Sequence, residues 1–204
     1  AEAADGGAGI VYMDNAGVTQ FHHVGLSIAS DPYIGPMSIL AKTLKHHGAV
    51  PGLQIVHPGR DAAFVAGDDL ISSSRVMWEP WYENGGGVPR ELTIEEIHEF
   101  VEAFGDAAER GQRAGFEIID VHSACGVLLS NFLSPLNNTR TDMYGGSLHN
   151  RMRFLMEVIR NIKQKTSVPL SIRLSGCDFE PGGITIEETI EVAKACECMG
   201  ADVI

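Results

Sequence analysis

HSACGVLLSNFLSPLNNTRTDMYGGSLHNR, residues 122–151, follows the apolar run FEIIDV at 116–121 and precedes an amphipathic stretch. A short isoleucine- and valine-rich run reads as a buried strand. This one leaves the core through a histidine. The chain then spends about two dozen residues on Asn, Thr, Arg, Asp and Gly before the next helix, and loops of that length inside compact domains are uncommon and often functional. A buried strand opening through a polar residue into a long loop is the pattern found at the C-terminal edge of a parallel sheet, where α/β enzymes place their chemistry.

Strand and helix signals alternate on both sides of this stretch. Residues 9–15, 51–57, 117–122 and 168–174 read as strands. Residues 35–47, 93–114 and 148–165 read as helices, and a further helix starts at Thr185 and stops at Gly200. Thr93 with Glu96, and Thr185 with Glu188, have capping-box spacing. Residues 58–90, with Trp78 and Trp81, read as a long excursion, and 200–204 as the start of a fifth strand. Alternation with apolar strands argues for a parallel sheet. A doubly wound open sheet and a (β/α)8 barrel both fit. No Gly-x-Gly-x-x-Gly turn follows a strand, which weakens the first. Polar residues near successive strand ends favour the second: Asp14 and Asn15, Gln54 and His57, His122, Arg173. A closed barrel needs eight strands and about 250 residues, so the expectation is an α/β fold, one partial TIM barrel over residues 1–204.

Composition narrows the partners. A formal charge of −12 disfavours nucleic acid and anionic membrane surfaces, and no apolar run is long enough to span a bilayer. Cys125, Cys177, Cys196 and Cys198 lack the paired C-x-x-C spacing of a zinc site, no His-x-His strand motif of a metal barrel is present, and the thiols suit a reduced cytoplasmic protein. The histidine pairs at 22–23 and 46–47 read as solvated surface. The lysines fall on helices, so no strand end offers one for a Schiff base. Each strand-end residue has a plain alternative. His122 could bond only local backbone, and Arg173, expected to be buried, could pair with Asp120 or Asp178. Gln54, inside a barrel, would need a partner for its amide.

The opening stretch resembles the signature of the old yellow enzyme family of flavin-dependent oxidoreductases: His-x-Ala-(His or Asn)-Gly-Tyr-Leu, Gln-Phe-Leu-Ser-Pro, Asn-x-Arg-Thr-Asp-x-Tyr-Gly-Gly-Ser and Asn-Arg-x-Arg-Phe. GGAGIVYMD (6–14), LQIVHPGR (53–60), PRELTIEEI (89–97) and IRLSGCDFEPGGIT (172–185) agree with it. The last looks most like the branch of 2,4-dienoyl-CoA reductases and enoate reductases. The resemblance implies that the chain supplies roughly strands 2 to 5 of the barrel, without strand 1 and strands 6–8. It implies FMN as cofactor and NAD(P)H as electron donor, with an iron–sulfur cluster only in a C-terminal region beyond this chain.

Carried over residue by residue, Gln54 would bind the flavin pyrimidine edge, and Arg173 would sit by its N1–C2 carbonyl. Asn15 would stand where a small residue usually faces the ring. His122 and Cys125 would hold the substrate carbonyl. Arg140, Thr141, Asp142, Tyr144, Gly145, Gly146, Asn150 and Arg151 would be scaffolding. Two positions depart from the pattern: Cys125 replaces His or Asn, and Val127 replaces the tyrosine that donates a proton. The function implied is NAD(P)H-driven reduction of an activated C=C bond in a small molecule. A flavin-dependent amine dehydrogenase or demethylase is the alternative, since it needs no tyrosine acid. A third reading is a non-catalytic fragment whose open sheet edges would favour a homo-oligomer.

Overall fold

The register of the parallel strands sorts their side chains into alternating polar and apolar layers. The computed structural model describes residues 1–20, 25–64, 69–77 and 87–204; His22, His23, Trp78 and Trp81 lie outside the described residues. Strands β1 (Ile10–Gly17) and β2 (Val50–Val56) pair in parallel, and the two-residue strands β3 (Ile71–Ser72) and β4 (Arg90–Glu91) form a separate small sheet. Strands β5 (Ile118–Ser123) and β6 (Leu170–Leu174) complete the main sheet in the order β1-β2-β5-β6. Val203 bridges in parallel to Ser171, where the sequence indicates a fifth strand.

Side chains alternate across a strand, so each row of register partners faces one side. Met13, Leu53, Ile119 and Leu170 form one row, and Ala16, Ile55, Val121 and Ile172 another. Apart from Met13, all of these are fully enclosed. Burying such a side chain contributes about 1.5–3 kcal/mol, so these rows anchor the sheet to its helices. The intervening rows face the other way and carry Gln54, Asp120 and Ser171, then His122 and Arg173.

The helices cover the aliphatic face. They are α1 (Glu2–Asp5), α2 (Ile34–His46), α3 (Ile94–Ala114), α4 (Leu128–Leu133), α5 (Leu148–Arg151), α6 (Arg153–Lys165) and α7 (Ile186–Cys198). Both expected capping boxes, at Thr93–Glu96 and Thr185–Glu188, are formed in full. Helix α3 buries Ile97, Val101, Phe104, Ala107 and Ala108. It sits close because residue 111 is glycine: a β carbon there would come within 2.8 Å of Ile119 Cδ1 and 2.9 Å of Leu53 Cδ2.

Two expectations need correction. The helix expected over 148–165 is interrupted at Met152. There Arg151 turns inward to donate to the Leu133 carbonyl at 2.6 Å and to Glu188 at 2.5 Å, while Arg153 donates to the Met143 carbonyl at 2.8 Å. The long loop after His122 is also not structureless, because α4 forms within it. Phe132 of α4 packs edge-on against Phe154 at 4.9 Å and Tyr144 at 6.4 Å. Asn138 ties the rest by donating Nδ2 to the carbonyls of Phe132 and Tyr144, both at 2.8 Å. These loop polar groups satisfy backbone that secondary structure leaves unpaired.

Candidate active site

At the C-terminal end of the sheet, Gln54 on β2 donates Nε2 to Asp120 Oδ2 on β5 at 2.6 Å. That bond leaves Gln54 Oε1 buried with no partner among the described residues. A buried acceptor without a donor costs about 1–3 kcal/mol, so the amide is poised for a ligand N–H. Beside Gln54, β1 bulges: its register shifts between Met13 and Ala16, so Asp14 and Asn15 both stand opposite that row. Asn15 has φ 52, a left-handed conformation that asparagine tolerates better than most residues.

One row nearer the mouth, His122 pairs in register with Arg173. The Ala124 N–H donates to His122 Nδ1 at 3.3 Å. That occupies the Nδ1 lone pair and leaves the ring proton on Nε2. Burial holds the imidazole below its ordinary pKa, and the Arg173 charge adds to this, against Asp120 and Asp14. His122 is therefore a neutral donor through Nε2. Arg173 is exposed, not buried, and forms no ion pair with Asp120 or Asp178 among the described residues. Its flanking Ile172 and Leu174 belong to the opposite face of the strand, so their apolar character says nothing about position 173.

Cys125 also takes a left-handed conformation, φ 59, and its N–H donates to Ser175 Oγ at 3.0 Å. It borders a cleft of about 1010 Å³ between the loops that follow β5 and β6, together with Arg60, Asp61, Ser123, Gly126 and Ser175. Gln54, His122 and Arg173 do not line that cleft, which lies to one side of their rows. Val127 is buried and does not line it either. Among the described residues no cluster of His, Cys, Asp and Glu could hold a metal ion, and no helix is long and apolar enough to cross a membrane. The cysteines are free thiols.

The chain matches the NADH:flavin oxidoreductase / NADH oxidase family over residues 10–204. The chain belongs to that family. A curated relative, the NADPH dehydrogenase of Geobacillus thermodenitrificans (strain NG80-2), is 36% identical over 98% of this chain and 58% of its own length. The chain thus spans a little over half of that relative. Among solved structures, a 2-naphthoyl-CoA reductase in complex with 2-naphthoyl-CoA superposes with TM-score 0.90 at 31% identity, covering 99% of this chain and 33% of that one. A histamine dehydrogenase from Rhizobium sp. 4-9 superposes with TM-score 0.84 at 27% identity, covering 94% of this chain and 29% of that one. The four parallel strands and their helices are therefore part of a TIM barrel, as the sequence indicates.

The family's cofactor, FMN, can be tested against the residues present. Gln54 Oε1 lacks a donor, and the flavin pyrimidine ring offers an N–H. Arg173 is an exposed cation without an ion pair among the described residues, and reduced flavin carries negative charge. Both residues fit the group.

His57, at the end of β2, lies on the helix side, edge-on to Phe100 at 4.7 Å. Its Nδ1 accepts from the Gly59 N–H at 3.0 Å, and burial lowers its pKa to about 3. The unfolded chain, with a histidine near 6.5, then binds more protons than the folded one between those values. The contribution to stability is complete above pH 6.5 and is lost as pH falls toward 3, at up to about 1.4 kcal/mol per pH unit. Asp61, raised to about 6 mainly by burial, works in the opposite sense: it favours the folded state at low pH and loses that as pH rises through 6. His57→Asn keeps an acceptor for Gly59 without the titration. Urea unfolding midpoints of the variant should fall less steeply than wild type between pH 6.5 and 4. Parallel profiles would assign the acid sensitivity to another group.

Proposed function

We propose that the protein carrying this chain is an FMN-dependent oxidoreductase that uses NAD(P)H to reduce an activated C=C bond, in an enoate, enone or enoyl thioester. The observation that carries the reading is the layered row: an unpaired Gln54 acceptor, a neutral His122 donor and a lone Arg173 cation on adjacent parallel strands. In this reading Gln54 and Asn15 border the flavin and Arg173 balances the charge of its reduced form. FMN, when bound, supplies the hydride. His122 holds the substrate carbonyl through Nε2–H and stabilises the charge that develops on its oxygen. Cys125, on the neighbouring cleft, carries a thiol, a weaker donor than imidazole or amide. The free thiols support a reducing, cytoplasmic setting.

The full-length gene product should purify yellow, be bleached by NADH or NADPH under anaerobic conditions, and be reoxidised by an α,β-unsaturated carbonyl compound faster than by oxygen. An acceptor panel in which none outpaces oxygen removes the reading. The second reading, oxidation of a methylated amine by the flavin, is favoured by Val127, because that half-reaction needs no proton donor at the tyrosine position. Anaerobic bleaching by an amine, without NAD(P)H, would select it.

A further inference from the structure

Burying a carboxylate is a costly way to hold one amide, yet Asp120 does this. It stands on β5 in register with Gln54 on one side and Ser171 on the other, and it is buried. Its Oδ2 accepts from Gln54 Nε2 at 2.6 Å. Arg173, in the next row on that face, forms no ion pair with it among the described residues. The carboxylate is therefore spent on Gln54, whose other end, Oε1, is buried with no partner among the described residues.

The consequence follows from donor and acceptor counting. A glutamine amide is nearly symmetric in shape, with an acceptor oxygen at one end of the fork and a donor nitrogen at the other. Left to itself, it could turn either end to a ligand. A hydroxyl or an amide at 120 could both donate and accept, and would tolerate both settings. A carboxylate only accepts. In the flipped setting Oε1 would face Oδ2, two acceptors with no proton between them. Nε2 must therefore face Asp120, and Oε1 is turned away from it. A bond to a carboxylate is also shorter and about twice as strong as one between neutral groups, in keeping with the 2.6 Å separation.

We propose that Asp120 is a positioning residue for the cofactor: it locks the Gln54 amide with its oxygen toward the flavin, so that the site selects the pyrimidine N–H. This rests on the FMN reading above. The flavin pyrimidine edge carries a single N–H, at N3, between two carbonyl oxygens. An amide free to turn could donate to either carbonyl, and the ring could settle in more than one register against β2. An amide held acceptor-outward leaves one match, the N3–H. Asp120 acts through Gln54 in this role and need not touch the flavin.

The test uses the full-length protein loaded with FMN carrying nitrogen-15 at N3, and reads the N3–H resonance by NMR. In wild type this proton should lie downfield of its position in free FMN and exchange slowly with water. Q54A should move it toward the free position. D120A should do the same although Gln54 is intact, and should weaken FMN binding about tenfold, as for one hydrogen bond to a buried acceptor. D120N should fall between, because its amide can accept or donate. The double variant Q54E/D120N should return the resonance toward wild type: the new carboxylate at 54 accepts both from the amide at 120 and from N3–H. A carboxylate that only stabilised the fold would lower the urea midpoint without moving this resonance, and the double variant would not restore it. A wild-type resonance in D120A, while Q54A shifts it, overturns the proposal alone. If D120A does not retain flavin, the double variant decides, and a resonance no nearer wild type than that of D120N overturns it. Q54A without effect removes Gln54 from the flavin and the proposal with it. A full-length protein that binds no FMN overturns the FMN reading and the proposal together.

Discussion

His122→Ala in the full-length holoenzyme is expected to slow reoxidation of the reduced flavin by an enone by about 10²–10³-fold, the usual effect of removing one donor to a developing oxyanion. The geometry behind this is local. Ala124 N–H engages Nδ1, so Nε2 carries the ring proton. His122→Asn, whose amide can donate from a nearby point, should recover part of the rate, while both variants keep the Gln54–Asp120 pair and stay yellow. The pH dependence has a definite sign. Because burial and then Arg173 hold the imidazole below its ordinary value, the neutral form is favoured over the imidazolium relative to a free histidine, and affinity for a carbonyl or phenolate ligand should not tighten through this residue with the profile of an ordinary imidazole. A tightening centred near pH 6.5 that disappears in His122→Ala would mean an imidazolium instead.

Arg140→Ala is expected to cost about 1.5–3 kcal/mol of stability, the usual cost of losing hydrogen bonds from a charged donor to buried acceptors. The Arg140 side chain is only 3% exposed and pairs with Asp142 at 2.6 Å and Glu91 at 3.3 Å. Its Nη1 also donates to the carbonyls of Leu92 at 2.6 Å and Ser73 at 3.1 Å. One guanidinium thus joins the loop after β5 to the segments around β3 and β4. Arg140→Lys should recover little, since a single ammonium cannot span four acceptors in a planar fork. Urea unfolding with a loss below about 1 kcal/mol would show that water replaces those bonds.

Much of this arrangement is legible in the chain. The capping boxes are read directly because donor and acceptor lie three residues apart, and the strand sequence alternates because one face meets helices. Gln54, His122 and Arg173 stand out as polar residues at apolar strand ends. What escapes the sequence depends on distant partners. Arg173 looks buried because its neighbours are apolar, yet they point away from it. Asp61, in HPGRDAAF, reads as an ordinary turn carboxylate; its burial arises from a glycine on another loop. Helix α4 is too short for periodicity to reveal, and it forms because Phe132 finds Phe154 and Tyr144.

The alternation of rows bears on how the sheet assembles. A slip of one residue in β2 or β5 would turn Gln54, or Asp120 and His122, under the helices and expose Leu53, Ile55, Ile119 and Val121. Each buried polar group left unpaired there would cost about 1–3 kcal/mol, more for the carboxylate. The residues assigned to chemistry therefore double as a proofreading device for strand alignment. Aliphatic replacements at 54, 120 and 122 would remove the penalty on misregistered pairings, and a variant bearing all three should refold into mixed alignments while remaining compact.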